Sequence, residues 1–192
     1  MKDARGREPQ RRHELIRREA DENESDTERA RRQSDKVMAS ALRILSTRSC
    51  SEGELRNRLI ARRWPDAEVV EICIKRLKEL GYVNDDRFAH SYASYRINLK
   101  PLGRAKLERE LAVKKVPRKS IEAALDLVFG EVAEDTLIDK AIIRHIRTHG
   151  RPADRAAAKR KFDHLARRGF GYDLIIKKLR ALKAEIEEND ER

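Results

Sequence analysis

The chain has 192 residues, 41% of them charged and only 5% aromatic, with 8 glycines, 5 prolines and a formal net charge of +11. It is too charged for one thick globular core, too apolar in places for full disorder, and poor enough in turn formers to favour helices. The longest apolar runs are a few residues, so no membrane span is expected, and the N-terminus lacks the apolar stretch of a secretory signal, which makes the cytoplasm the expected compartment.

Residues 1–33 carry ten Lys/Arg against nine Asp/Glu, with few apolar residues beyond Leu15 and Ile16. They read as a solvated tail, at most a transient charged helix. Over 35–47, Met38, Ala41, Leu42 and Leu45 recur at helical spacing and predict an apolar face. Ser51 opens SEGE, a capping box in which its hydroxyl accepts the amide three places on while Glu54 reaches back. The helix it starts turns Leu55 and Leu59 inward and stops at Trp64-Pro65. Residues 66–80 predict a third helix with Val69, Val70, Cys73, Leu77 and Leu80 inward and Gly81 just past its end. Cys50 and Cys73 make no disulfide framework; each reads as a buried, reduced thiol.

The pattern then restarts. Asn84 or Asp85 caps a helix over 86–99 with Phe88, Tyr92, Tyr95 and Leu99 inward. Lys100, Pro101 and Gly103 break it, and a short helix through Leu107 and Leu111 follows. Pro117 precedes a helix carrying Ile121, Leu125, Val128 and Phe129, which Gly130 ends. A third round places Leu137, Ile138, Ala141, Ile142 and Ile146 inward and breaks at Gly150 and Pro152. Helices around Phe162 and Leu165, then through Leu174, Ile175, Leu179 and Leu182, complete it. Residues 183–192 form an acidic tail, with five Asp/Glu against two Lys/Arg.

Leu59, Leu111 and Leu165 occupy one slot, separated by 52 and 54 residues. Val69, Ile121 and Ile175 share another, and Cys73, Leu125 and Leu179 a third. A period near 50 residues marks an all-α, elongated and curved array of three tandem three-helix repeats, with expected bounds 34–82, 83–130 and 131–182. Residues 34–182 carry 33 Lys/Arg against 20 Asp/Glu, so the ordered part is the basic part and suits a polyanionic or acidic partner. The pairs Arg62–Arg63, Lys114–Lys115 and Arg167–Arg168 recur at the end of the second helix of each repeat. There they offset the helix dipole, and on a shared edge they would also track phosphates or an acidic surface.

Nothing points to catalysis. No phosphate loop or nucleophile elbow is present. His145 and His149 sit four apart on a helix without a glutamate beside His145 or a third ligand nearby, so no metal is expected. Asp85 and Asp86 lie at a helix start, where capping is their reading. His90 and His164 read as isolated, and Trp64, Tyr82, Tyr92 and Tyr95 as packing residues. No cofactor is expected.

SEGELRNRLIARR, RLKELGYVNDDRFAHSYASYR and ARRGFGYDLI together resemble the RecX regulatory proteins of bacteria, over about residues 36–182. The most specific pieces are Ser51, Glu54 and Leu55; Leu80-Gly81-Tyr82 with Asp85, Phe88 and Ala89; and Arg168-Gly169-Phe170 with Ile175. The resemblance implies a non-enzymatic modulator of the RecA recombinase in DNA repair. It would bind in the groove of the RecA–DNA filament and limit recombination, ATP hydrolysis and the coprotease function that triggers the SOS response. The N-terminal tail matches no family motif, and the KKVP of the second repeat predicts a junction packed differently from the other two. The expected contact surface is Arg62, Arg63, Lys114, Lys115, Arg167 and Arg168, with Lys75, Arg104 and Lys177 as lesser members, on a monomer that binds bare DNA only weakly. The rival readings are a direct DNA-binding module of helix-turn-helix type and a helical scaffold for some other protein.

Overall fold

The structure, a computed structural model, describes the backbone of residues 7–62, 64, 67–152 and 154–190, and within those ranges the side chains of residues 27–184. Nine α-helices and no strands occur among the described residues: α1 Arg7–Thr47, α2 Glu52–Ile60, α3 Ala67–Glu79, α4 Asp85–Leu99, α5 Arg104–Val113, α6 Arg118–Glu131, α7 Glu134–His149, α8 Arg155–Arg167 and α9 Tyr172–Asp190. No helix there is long and apolar enough to cross a membrane. The helices divide into two compact units. One holds α1, α2 from Leu55 onward and α3 up to Tyr82; the other holds Ser49–Glu54 and everything from Val83.

In the first unit the core is Val37, Ala41 and Ile44 of α1, Leu55 and Leu59 of α2, and Val70, Cys73, Ile74 and Leu77 of α3. The α1 face is therefore rotated from the predicted one: Ala41 is inward, Leu42 is exposed, and Met38 is a flank residue whose sulfur lies 3.8 Å from Cys73 Sγ. The buried α1 face, Val37, Ala41 and Ile44, is an alanine flanked by β-branched residues and lets α1 and α3 approach closely. Burial raises the Cys73 thiol above its ordinary range, which keeps it protonated and unreactive. Leu80 is exposed because Gly81, at φ 74°, turns the chain away after α3. The charged segment before residue 34 enters α1 from Arg7 onward. Its side chains at 27–32 are exposed, and Arg32 pairs with Glu28 at 3.3 Å.

In the second unit one continuous core runs from α4 to α9. The face of α4 is Ala89, Ala93 and Ile97, one position on from the predicted aromatic register. Phe88 and Tyr92 flank this face, while Tyr95 and Leu99 are exposed. Two alanines in the centre let α6 pack closely on α4, leaving no room for rings there. The predicted inward residues of α6 and α7 keep their places, although Gly130 lies inside α6, which runs on to Glu131. Between α4 and α5, Arg96 forks onto Glu110 with two 2.8 Å bonds, and Tyr92 Oη donates to the same carboxylate at 3.1 Å. Burial alone would raise the Glu110 carboxyl, but the Arg96 guanidinium outweighs it and holds the group below its usual range.

Two backbone junctions tie this unit together, and they are copies of one another. At the end of α5 the chain makes a Schellman turn, Lys115 N–H to Ala112 O at 2.9 Å and Val116 N–H to Leu111 O at 3.2 Å. At the end of α8 the same turn is Gly169 to Ala166 at 2.9 Å and Phe170 to Leu165 at 3.3 Å. The turn residues Lys115 and Gly169 are left-handed, at φ 61° and 87°. Each turn seats on the start of an earlier helix. The Lys114 carbonyl accepts from the Ser51 hydroxyl, which itself accepts the Glu54 amide at 3.0 Å, so this buried hydroxyl both donates and accepts. The Arg168 carbonyl accepts the Gly103 amide at 2.9 Å. An acid at the start of a third helix completes each seat: Asp85 Oδ1 of α4 accepts the amide of Glu52 at 2.8 Å, and Glu134 Oε1 of α7 that of Arg104 at 3.0 Å. Orphan amides of α2 and α5 are thus capped from a distant segment.

The second-repeat junction therefore has the same backbone turn as the third, but its turn carbonyl is met by a side-chain hydroxyl instead of a backbone amide, and a lysine stands at the left-handed position. Lys115 carries a Cβ where Gly169 has none, and the left-handed conformation costs it about 1–2 kcal/mol. Gly53 makes room: a Cβ there would collide with Lys115 Cβ and its carbonyl. At the other junction a Cβ on Gly103 would strike the backbone of Gly169 and Phe170. Gly130, by contrast, has open space around it. Gly53→Ala or Gly103→Ala is expected to destabilise the protein by about 1–3 kcal/mol, while Gly130→Ala stabilises it by about 0.5–1 kcal/mol. Urea unfolding of the three variants reads this directly.

Candidate partner-binding surface

The recurrent cations sit at these helix ends, where the last carbonyls concentrate negative partial charge. Counting from the shared leucine slot, Arg62, Lys114 and Arg168 each lie three residues on, and all three turn back onto the protein. Arg62 Nη1 donates to Ser40 Oγ of α1 at 2.7 Å. Lys114 Nζ stands 5.1 Å from the Tyr92 ring centre, 5.9 Å from that of Phe88 and 3.6 Å from Glu54 Oε1. Its charge serves a cation–π contact and an ion pair at once. Arg168 donates from Nη1 to the Pro101 carbonyl at 3.0 Å and from Nε to His164 Nε2 at 2.9 Å. Burial lowers its pKa, with Arg144 adding to the effect. These cations strap the helix end to a neighbouring element.

The other partners of the pairs behave differently. Lys115 and Arg167 are exposed. Arg167 lies one residue before the strap, whereas Lys115 follows it, because Gly169 takes the left-handed position in the third copy. Arg63 lies outside the described residues. Lys75 on α3 and Lys177 on α9 are exposed, and Lys177 is near enough to Asp135 to help hold that carboxyl down, after Lys178. Arg104 is half-buried and bridges to Asp126 at 2.7 Å. Of the nine expected residues, five are exposed: Arg62 and Lys75 in the first unit, and Lys115, Arg167 and Lys177 in the second; of these, Arg62 is the one held by a strap, its bond to Ser40.

Sequence reasoning paired the cations by adjacency and missed that position, not adjacency, separates strap from surface. It also missed the distant capping by Asp85 and Glu134, which no local spacing encodes. It took His164 as isolated, yet its ring lies 4.5 Å from that of His145. No group of three His, Cys, Asp or Glu suited to a metal ion occurs among the described residues.

Comparison with known proteins gives a consistent answer. Residues 84–125 match the family model described as RecX, second three-helix domain. A regulatory protein RecX from Halorhodospira halophila is 34% identical over 164 residues, covering 83% of this chain and 93% of its own. The one from Deinococcus radiodurans is 32% identical, covering 83% and 74%. Among solved structures, RecX from Lactobacillus salivarius superposes with a TM-score of 0.69 at 20% identity, over 79% of this chain and 97% of that one. A second regulatory protein RecX structure gives 0.70 at 22% identity, over 80% and 74%. The fold likeness supports the tandem three-helix organisation.

The strap reading is testable without a partner. Arg168→Met is expected to cost about 1–3 kcal/mol of stability by orphaning the buried Pro101 carbonyl. Arg167→Met, on the exposed neighbour, should stay within about 0.5 kcal/mol of wild type. Thermal or urea unfolding of the two variants side by side distinguishes them.

Proposed function

The chain belongs to the RecX family of regulatory proteins, and from that premise we propose that it binds the RecA recombinase and the RecA–DNA filament and restrains recombination, ATP hydrolysis and coprotease activity. The observation that carries this reading is the similarity to a regulatory protein RecX across 83% of this chain and 93% of that relative. Supporting it is the net positive charge of the helical region, 33 Lys/Arg against 20 Asp/Glu over residues 34–182. A set of exposed cations held on rigid helix ends suits an extended acidic or phosphate-bearing partner, because both steering and register gain from fixed charge positions.

In this reading Lys115 and Arg167 are the principal contact residues, with Lys75 and Lys177 contributing. Arg62, Lys114 and Arg168 act indirectly, by fixing the helix ends on which contacts are displayed. The rival reading, direct binding to bare DNA, predicts a steep loss of affinity as salt rises and no effect on RecA until the DNA is coated.

The test is RecA ATP hydrolysis on single-stranded DNA, titrated with this protein, with bare-DNA binding measured at the same salt. Inhibition well below one protein per RecA is the expected result. Inhibition only at DNA-coating amounts would transfer the activity to the rival reading. Replacing both Lys115 and Arg167 by Glu should raise the half-inhibitory concentration about tenfold or more with helicity unchanged. An unchanged value would place the contact surface elsewhere.

A further inference from the structure

A cleft of about 330 Å³ lies where the end of α7, the Gly150–Pro152 turn and α8 meet, beside the Arg168 strap, whose His164 partner is in its lining. Lys161 of α8 is in its lining and is the most unusual residue of the unit: a lysine only 1% exposed, whose Nζ has no hydrogen-bond partner. A second orphan polar atom belongs to the same lining, Nδ1 of His145. The other wall groups are predominantly cationic or imidazole. His149 stacks on His145 at 4.3 Å between ring centres, and His164 lies 4.5 Å from His145 on the other side. Arg151, Arg160 and Arg167 complete the wall, against one carboxylate, Asp163.

A buried ammonium without a counter-charge costs several kcal/mol, so the group either loses its proton or holds an anion. Burial lowers the Lys161 pKa, and no acidic partner offsets it. His145 is held low by burial first, then by His149, Lys161 and Arg168. His164 is pushed down to about 4, by burial first and then by Arg168, and its Nε2 accepts the Arg168 Nε–H, so it is neutral in this arrangement. The cleft therefore gathers cationic and imidazole groups around a buried amine with no hydrogen-bond partner, with Asp163 as the one carboxylate in its lining. A metal cation would be repelled by Lys161 and the arginines. A carboxylate offers two oxygens on one charge; a phosphate offers three or four oxygens and up to two charges, which suits an ammonium, an imidazole N–H and guanidinium forks together.

We infer that this cleft binds a phosphate group, with Lys161 and His145 as its buried donors and Arg151, Arg160 and Arg167 as its rim. The phosphate is either free, as inorganic or nucleotide phosphate, or part of a nucleic-acid backbone. The inference needs no RecA; it shares Arg167 with the proposed contact surface, and Lys161 and His145, which that surface does not use, are what its test reads.

The experiment follows the histidine ring resonances of the full-length protein as inorganic phosphate is added at constant ionic strength. Saturable shifts of His145, His149 and His164 are expected, weakened about tenfold or more in Lys161→Met, which keeps the apolar stem and removes the charge. Arg160→Gln, on an exposed rim position, should weaken binding several-fold and serves if Lys161→Met does not fold. A short single-stranded oligonucleotide is then added as competitor. Displacement of phosphate supports a backbone source, and failure to displace it supports a free one. Shifts that never saturate, or equal affinity in wild type and both variants, would overturn the inference.

Discussion

The second unit depends on one contact made twice: a helix-ending turn seated by its backbone on the start of an earlier helix. A turn carbonyl takes a hydrogen bond from Ser51 or Gly103, and a distant acid caps the helix being sat upon. Backbone can meet backbone this closely only where a Cβ is missing, which is why Gly53 and Gly103 stand where they do. Each three-helix set is small and buries its own apolar faces incompletely. Coupling through buried hydrogen bonds therefore matters more here than in a domain with one thick core. Because the partners in the seat are polar and at least partly buried, losing one strands another, and the contact tolerates little slippage.

That constraint also explains the division of labour among the cations. A side chain three places past the shared leucine emerges where it can reach the neighbouring element, so Arg62, Lys114 and Arg168 are consumed in straps. Their neighbours Lys115 and Arg167 are left to solvent on turns that the seat holds rigid. The charge that supports a partner and the charge that supports the fold are thus adjacent in sequence and opposite in role. A regulator that must fit an extended partner gains from this, since contact residues on fixed turns lose little freedom on binding.

Much of the fold was legible because apolar period and capping chemistry are local signals. Ser51 caps as its sequence context predicts, and Leu55, Leu59, Ile121, Leu125 and Ile175 are buried in the repeat slots. The α4 register was misread because hydrophobic size was weighed above fit. Ala89 and Ala93 win the centre by permitting close approach, and the rings of Phe88 and Tyr92 serve the flank. Asp85 looked like a local cap, yet Asn84 caps α4 while Asp85 caps α2, a pairing set only by tertiary structure. Lys161 stands among four cations in eight residues of α8, so nothing in the sequence separates it from its exposed neighbours Lys159 and Arg160. Burial depends on helix rotation against α7, which charge pattern does not record.

The central claim is that the two seats, rather than the apolar core alone, hold the helix ends in register. Amide hydrogen exchange at Glu52, Gly103 and Arg104 tests it most directly, since each of these amides donates across a seat in this structure. The account predicts that these amides exchange as slowly as the central amides of α4 and α6, through the same cooperative opening. Exchange at the rate of a frayed helix end, while α4 and α6 stay protected, would mean that the seats open independently and that the core alone carries the arrangement.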